Sequence, residues 1–193
     1  MKPENAYDRK FLFSILTLRR CNEILLEMFL KARTQKQVLP DFDTLEEGYA
    51  ILNERWGVLL EKVDVWRILR DTPENDLGAY RRKDGGSTLV RPIAIIAFLT
   101  AVSRLFDAQG SVDNISKVSG AFDDLAAFPW RGLFWKKEQG GMHDGQSRRN
   151  AAAAIYSYYL TGTPSKSEAG KLWGAATGDE MPSELPERDT ILQ

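Results

Sequence analysis

The stretch PIAIIAFLTAV, from Pro92 to Val102, constrains this chain more than any other. It is apolar on nearly every side, so wherever it folds it must be surrounded. Pro92 suits the first turn of a helix, where the N–H it lacks would have no partner. The run is about half the roughly 20 residues that span a bilayer, so the expectation is a central buried helix continuing through Leu105 and Phe106. The rest of the chain has to supply its cover.

Cover of the right kind is present on both sides. From Asp8 to about Arg33, Phe11, Ile15, Leu18, Leu25 and Phe29, with Leu12, Leu16 and Leu26, follow helical spacing, opposed by Arg19, Arg20, Glu23 and Glu27. After Leu39-Pro40-Asp41, a second helix is expected to start at Asp43 or Thr44 and to bury Leu45, Tyr49, Leu52, Trp56, Leu59 and Val63. Gly48 and Gly57 lower its propensity by about 1 kcal/mol each, which predicts close approach to a neighbour. Residues 71–86 read as a polar connection ending in Asp84-Gly85-Gly86, and Ser87 to Val90 as a short extended run.

Past the central helix, Ile115, Val118, Phe122 and Leu125 mark one face of a helix from about Asp113 to Ala127. The segment Pro129 to Trp135 is aromatic, contains Gly132 and is too short for a helix; it predicts a bend packed onto the bundle. Ser147 is the expected cap of a helix ending at Gly162, and Ser165 with Glu168 forms a capping box for a last helix closed by Gly178. The fold class expected is mainly α: a single-domain bundle of about six helices over 1–178, with at most a short extended or β segment near 87–91. Residues 179–193 read as an acidic mobile tail.

With 26 Lys+Arg against 27 Asp+Glu the net charge is -1, so the total favours neither nucleic acid nor an acidic surface. By segment the picture differs. Residues 1–40 hold eight basic and four acidic side chains, residues 130–172 seven and three, and residues 173–193 one and five. If Arg19, Arg20, Lys136, Lys137, Arg148 and Arg149 share a face, they make an electrostatic footprint for DNA or RNA, with Trp130 and Trp135 available for stacking. The turn from Met142 through His143 feeds a helix whose first turn holds Arg148 and Arg149, a pattern suited to gripping phosphate. The plainer alternative has these arginines in water or paired with Asp123 and Asp124, themselves read as solvated residues on a helix.

Catalytic signatures are absent. The chain has no GxxxxGK[ST], GxGxxG, HExxH or CxxC, and no carboxylate cluster that suggests magnesium chemistry. One cysteine, Cys21, and one histidine, His143, exclude structural zinc and any triad needing two histidines. No cofactor, metal or catalytic residue is expected. The opening MKPENAYDRKFLF has no apolar run of signal-peptide shape, and the cytoplasm is the expected location.

Several stretches together resemble a known family. They are the helix from Phe11 to Leu18, Trp56, the extended run Val90-Arg91-Pro92 leading into a helix, the element Trp130-Arg131-Gly132-Leu133-Phe134-Trp135, and Met142. This pattern, over about residues 2–162, is similar to the C-terminal helical part of the DGQHR-domain family, which includes DNA sulfur modification proteins. The strand-containing half that carries that family's name-giving motif has no counterpart here; Asp144-Gly145-Gln146-Ser147-Arg148 echoes its letters at the other end, with Ser147 in place of histidine. The resemblance implies a non-catalytic helical module of a DNA-modification or phage-defence system, associated with DNA or regulatory. A protein-interaction scaffold is the other expectation, docking a partner chain or the strand-containing half through Trp130, Leu133, Phe134 and Trp135.

Overall fold

The computed structural model describes residues 14–33, 41–72, 77–82, 85–136, 141–181 and 184–193. The protein is mainly helical. At its centre α6 (Pro92–Asp107) starts on Pro92 as anticipated and buries side chains on every side, among them Ile95, Phe98, Leu99, Val102 and Leu105. Two helices form its principal cover, α1 (Ile15–Leu25) and α8 (Gln146–Thr161). α8 is buried without interruption from Ala151 to Leu160, and its four consecutive alanines allow α6 and α9 (Lys166–Thr177) to approach closely.

The N-terminal helix is interrupted. Ser14 caps α1 through its hydroxyl, Leu26 departs from helical geometry, and α2 (Glu27–Arg33) follows; Phe11 and Leu12 lie outside the described residues. Burial falls on Cys21, Ile24 and Leu25, where Ser103 on α6 donates to the Ile24 carbonyl at 3.0 Å, whereas Ile15 and Leu16 are exposed. The next helix, α3 (Phe42–Lys62), is capped by Asp41, two or three residues earlier than expected, with its carboxylate accepting from the Thr44 N–H at 2.8 Å. Its apolar stripe runs the whole length, but only the C-terminal half is covered. Leu59 and Val63 are buried, Leu52 and Trp56 half-buried, while Phe42, Leu45 and Tyr49 are 76%, 57% and 66% exposed. Of the two glycines, Gly48 does face a neighbour, Phe29, but Gly57 faces open space.

α4 (Asp64–Asp71) turns at Val63 and places Trp66 in the core, where its indole N–H donates to the Leu89 carbonyl at 2.7 Å. After α5 (Leu77–Tyr80), the run expected to be extended is a 3-10 turn, Thr88–Val90, joined to Asp124 by one bridge at Ser87. α7 (Asp113–Ala121) is shorter than expected, although Ile115, Val118, Phe122 and Leu125 are all buried. The pairing β1 (Trp135–Lys136) with β2 (Gly141–Met142), antiparallel, lies in a segment read as loop. Ser147 is exposed and does not cap α8; Gly145 occupies the capping position in extended conformation. Gly162 and Gly178, both left-handed, close α8 and α9, and the Ser165–Glu168 capping box is complete.

The described residues thus hold ten helices rather than about six, because chain breaks at Leu26 and Val63 split expected helices and α5 and α10 (Arg188–Ile191) add short ones. α10 belongs to the segment anticipated as a mobile tail. Its surroundings are packed: Leu185 is buried, Tyr159 donates to the Pro186 carbonyl at 3.0 Å, and Arg188 donates to the Tyr159 carbonyl at 2.9 Å. No helix among the described residues is long and apolar enough to cross a membrane.

A chain of aromatic rings threads the core from one side to the other. Trp56 lies 6.0 Å from Trp66, Trp66 meets Phe98 edge-on at 6.2 Å, Phe98 meets Tyr156 at 5.1 Å, and Tyr156 meets Trp130 at 4.6 Å. Edge-to-face and tilted contacts of this kind add to the area each ring buries.

Candidate functional site

The segment from Phe128 to Trp135 and the start of α8 form one unit. The Trp130 indole N–H donates to the Phe122 carbonyl at 2.7 Å, and Trp173 on α9 donates to the Pro129 carbonyl at 2.9 Å. Gly132 takes a positive φ of 84°, a turn that a side chain would strain. Arg148, in the first turn of α8, reaches across and donates from Nη1 to the carbonyls of Gly132 and Leu133, at 2.5 and 2.8 Å. Burial lowers the pKa of this guanidinium, and the negative charge of Asp179 works in the opposite direction.

This arrangement removes the aromatic loop as a docking surface. Trp130, Leu133 and Phe134 have no exposed surface and Trp135 is 4% exposed. Both tryptophans therefore face the core and are unavailable for stacking on bases. The apolar residues crowd together here because the bend is folded onto α8 and α9, not displayed above them.

The six basic candidates divide. Arg19 and Arg20 are exposed on α1 and share one partner, Glu23, at 3.0 and 3.1 Å. The two guanidinium groups beside it hold the Glu23 carboxyl below its usual range. α1 packs on α6 and α3, whereas the loop is tied to α8 and α9, so these two arginines are not part of the loop–α8 junction. Lys137 lies outside the described residues, as does the side chain of Lys136. Arg148 is committed to carbonyl oxygens. Arg149 is half-buried, and its Nε is sealed from solvent without a hydrogen-bond partner among the described residues. Beside them Arg131 is exposed on the loop. The start of α8 itself has no side-chain cap and no acidic residue in its first turn, although exposed Asp144 directly precedes its cap, Gly145.

Of the two carboxylates expected to be solvated on a helix, Asp124 is exposed as expected and Asp123 is half-buried. Neither is on a helix, since α7 stops at Ala121. Asp124 accepts from the Ala126 N–H at 2.9 Å. Asp123 fastens the 3-10 turn: it accepts from the Ser87 hydroxyl at 2.5 Å, and its carbonyl accepts from the Thr88 N–H at 2.6 Å. Burial raises its pKa; the bonds from Ser87 and the Leu89 N–H pull the other way. Sequence reasoning missed this residue because nothing local to Asp123 marks a partner 36 positions away.

No family model, curated protein or solved structure matches this chain. Among the described residues no group of three His, Cys, Asp or Glu side chains gathers where it could hold a metal ion.

Proposed function

We propose that this chain is a non-catalytic helical module of the DGQHR type that serves a DNA-modification or phage-defence system in the cytoplasm by associating with the DNA backbone at the loop–α8 junction. The observation that carries the proposal is the uncapped start of a 16-residue helix with Arg149 in its first turn, latched by Arg148 to the loop that carries exposed Arg131. Peptide N–H groups and arginine forks are the donors that phosphate oxygens select. Contacts of this kind fix a protein on the duplex without reading its sequence. The resemblance also motivates placing the contact here, since the Trp130 to Trp135 element that carries part of it is the segment latched to α8.

Fluorescence anisotropy with a labelled duplex, titrated across a salt series, tests the proposal. Binding should weaken with salt in proportion to the phosphates neutralised. Arg131→Glu combined with Arg149→Glu should abolish it, while Arg19→Glu should leave it nearly unchanged. Absence of salt-dependent binding at low ionic strength, or indifference to the double reversal, overturns the reading.

A further inference from the structure

We infer that the groove between α6, α8 and α9 binds a single-headed amphipathic anion, an apolar body carrying one carboxylate or phosphate. The groove encloses about 730 Å³ and opens to solvent, a size within the usual range for small-molecule sites. Buried Ala153 and Ala154 and exposed Ala108 line it, and Leu172 lies along it with 43% of its surface uncovered. Small side chains on two neighbouring helices leave the volume unfilled, and the uncovered leucine gives it an apolar rim.

The polar part is one-sided. Arg104 is the cation among the described lining residues, and no Asp or Glu accompanies it. One Nη1 hydrogen bond, at 3.1 Å, anchors the guanidinium to the hydroxyl of Ser157, a residue with no exposed surface. That bond orients the group, and Nε and Nη2, which have no hydrogen-bond partner among the described residues, can make a forked, two-bond grip on an oxyanion. The nearby hydroxyls of Thr100 and Thr161 are spent on carbonyls of their own helices, at 2.8 and 2.9 Å. Arg104 is the charged donor among the described lining residues, with the Asn150 amide and the Thr163 hydroxyl as neutral neighbours, and charge complementarity selects an anion over a cation or a neutral lipid.

Isothermal titration of the full chain with decanoate and with decyl phosphate tests the site, with decyltrimethylammonium, decanol and acetate as comparisons. Both ten-carbon anions should bind, the cationic surfactant should bind more weakly by about tenfold or more, and acetate should not bind. Arg104→Gln should reduce anion affinity by about tenfold while leaving decanol unchanged. Leu172→Glu, at a position exposed enough to spare the fold, should weaken both anions. Equal binding of anionic and cationic surfactants, indifference to both substitutions, or no binding of either anion overturns the inference. Indifference to both variants would place the surfactant on the uncovered stripe of α3 instead. DNA binding plays no part in this readout, so the two proposals fail independently.

Discussion

The Arg148 guanidinium lies 2.8 Å from the carbonyl oxygen of Leu133, fifteen positions earlier in the chain, and ties the aromatic bend to the helix it packs on. Arg148→Ala leaves two carbonyls to find other donors. A hydrogen bond to a charged group contributes about 1.5 to 3 kcal/mol, so the variant should lose about that amount of stability. Arg148→Lys, with a point charge in place of a fork, should recover only part of it. Urea titrations of the three proteins check this, and an unchanged midpoint in the alanine variant would show that the latch contributes nothing.

Tyr156 presents the opposite case. Its hydroxyl is fully buried with no partner among the described residues, a position in which burial and the charge of Asp123 push its pKa well up. Such a group is a net cost. Tyr156→Phe should therefore stabilise the protein by about 1 kcal/mol, since the ring contacts with Phe98 and Trp130 survive. A loss of similar size on thermal unfolding would mean that the hydroxyl is satisfied after all.

Asp123 makes stability depend on pH with a definite sign. Its folded pKa lies above the ordinary 3.8, so the folded state holds this proton more tightly than the unfolded chain does. The contribution is fully present below 3.8 and is lost as pH rises through the folded value. Exposed carboxylates held low by cations, Glu23 and Asp113 among them, act in the reverse direction, so the effect has to be read as a difference. Relative to Asp123→Asn, the parent protein should lose stability on going from about pH 4 to about pH 7, and a difference that stays flat or rises would refute the assignment.

Gly57 and Gly48 sit on one helix with unlike surroundings. A Cβ at Gly57 meets nothing within 4 Å, so Gly57→Ala should raise stability by about 0.5 to 1 kcal/mol. At Gly48 the Cβ would come within 3.2 Å of the Phe29 ring, and the same substitution should bring little gain or a loss. Thermal melts of the two variants give the comparison, and equal shifts would contradict it.

Features decided within a turn or two of chain were legible from residues alone. Pro92 at the start of α6, the Ser165–Glu168 box and the left-handed Gly162 and Gly178 are of this kind. Periodicity also located the apolar face of α3, but it carries no information about which part of a face a neighbour will cover, and Phe42, Leu45 and Tyr49 stand uncovered. The candidate site was less legible for a related reason. An arginine in a first turn looks the same whether it faces water, phosphate or a carbonyl, and Arg148 found Gly132 and Leu133 through the bend at Trp130. Asp123 likewise acquired its role only when the turn at Ser87 folded beside it.

The file of rings from Trp56 through Trp66, Phe98 and Tyr156 to Trp130 gives the interior an optical signature of its own. Chromophores held at fixed angles a few ångströms apart rotate near-ultraviolet light strongly, while the helices absorb at shorter wavelength. Loss of ring order can then be followed separately from loss of helix, so an unlabelled sample shows whether the centre loosens before the backbone does.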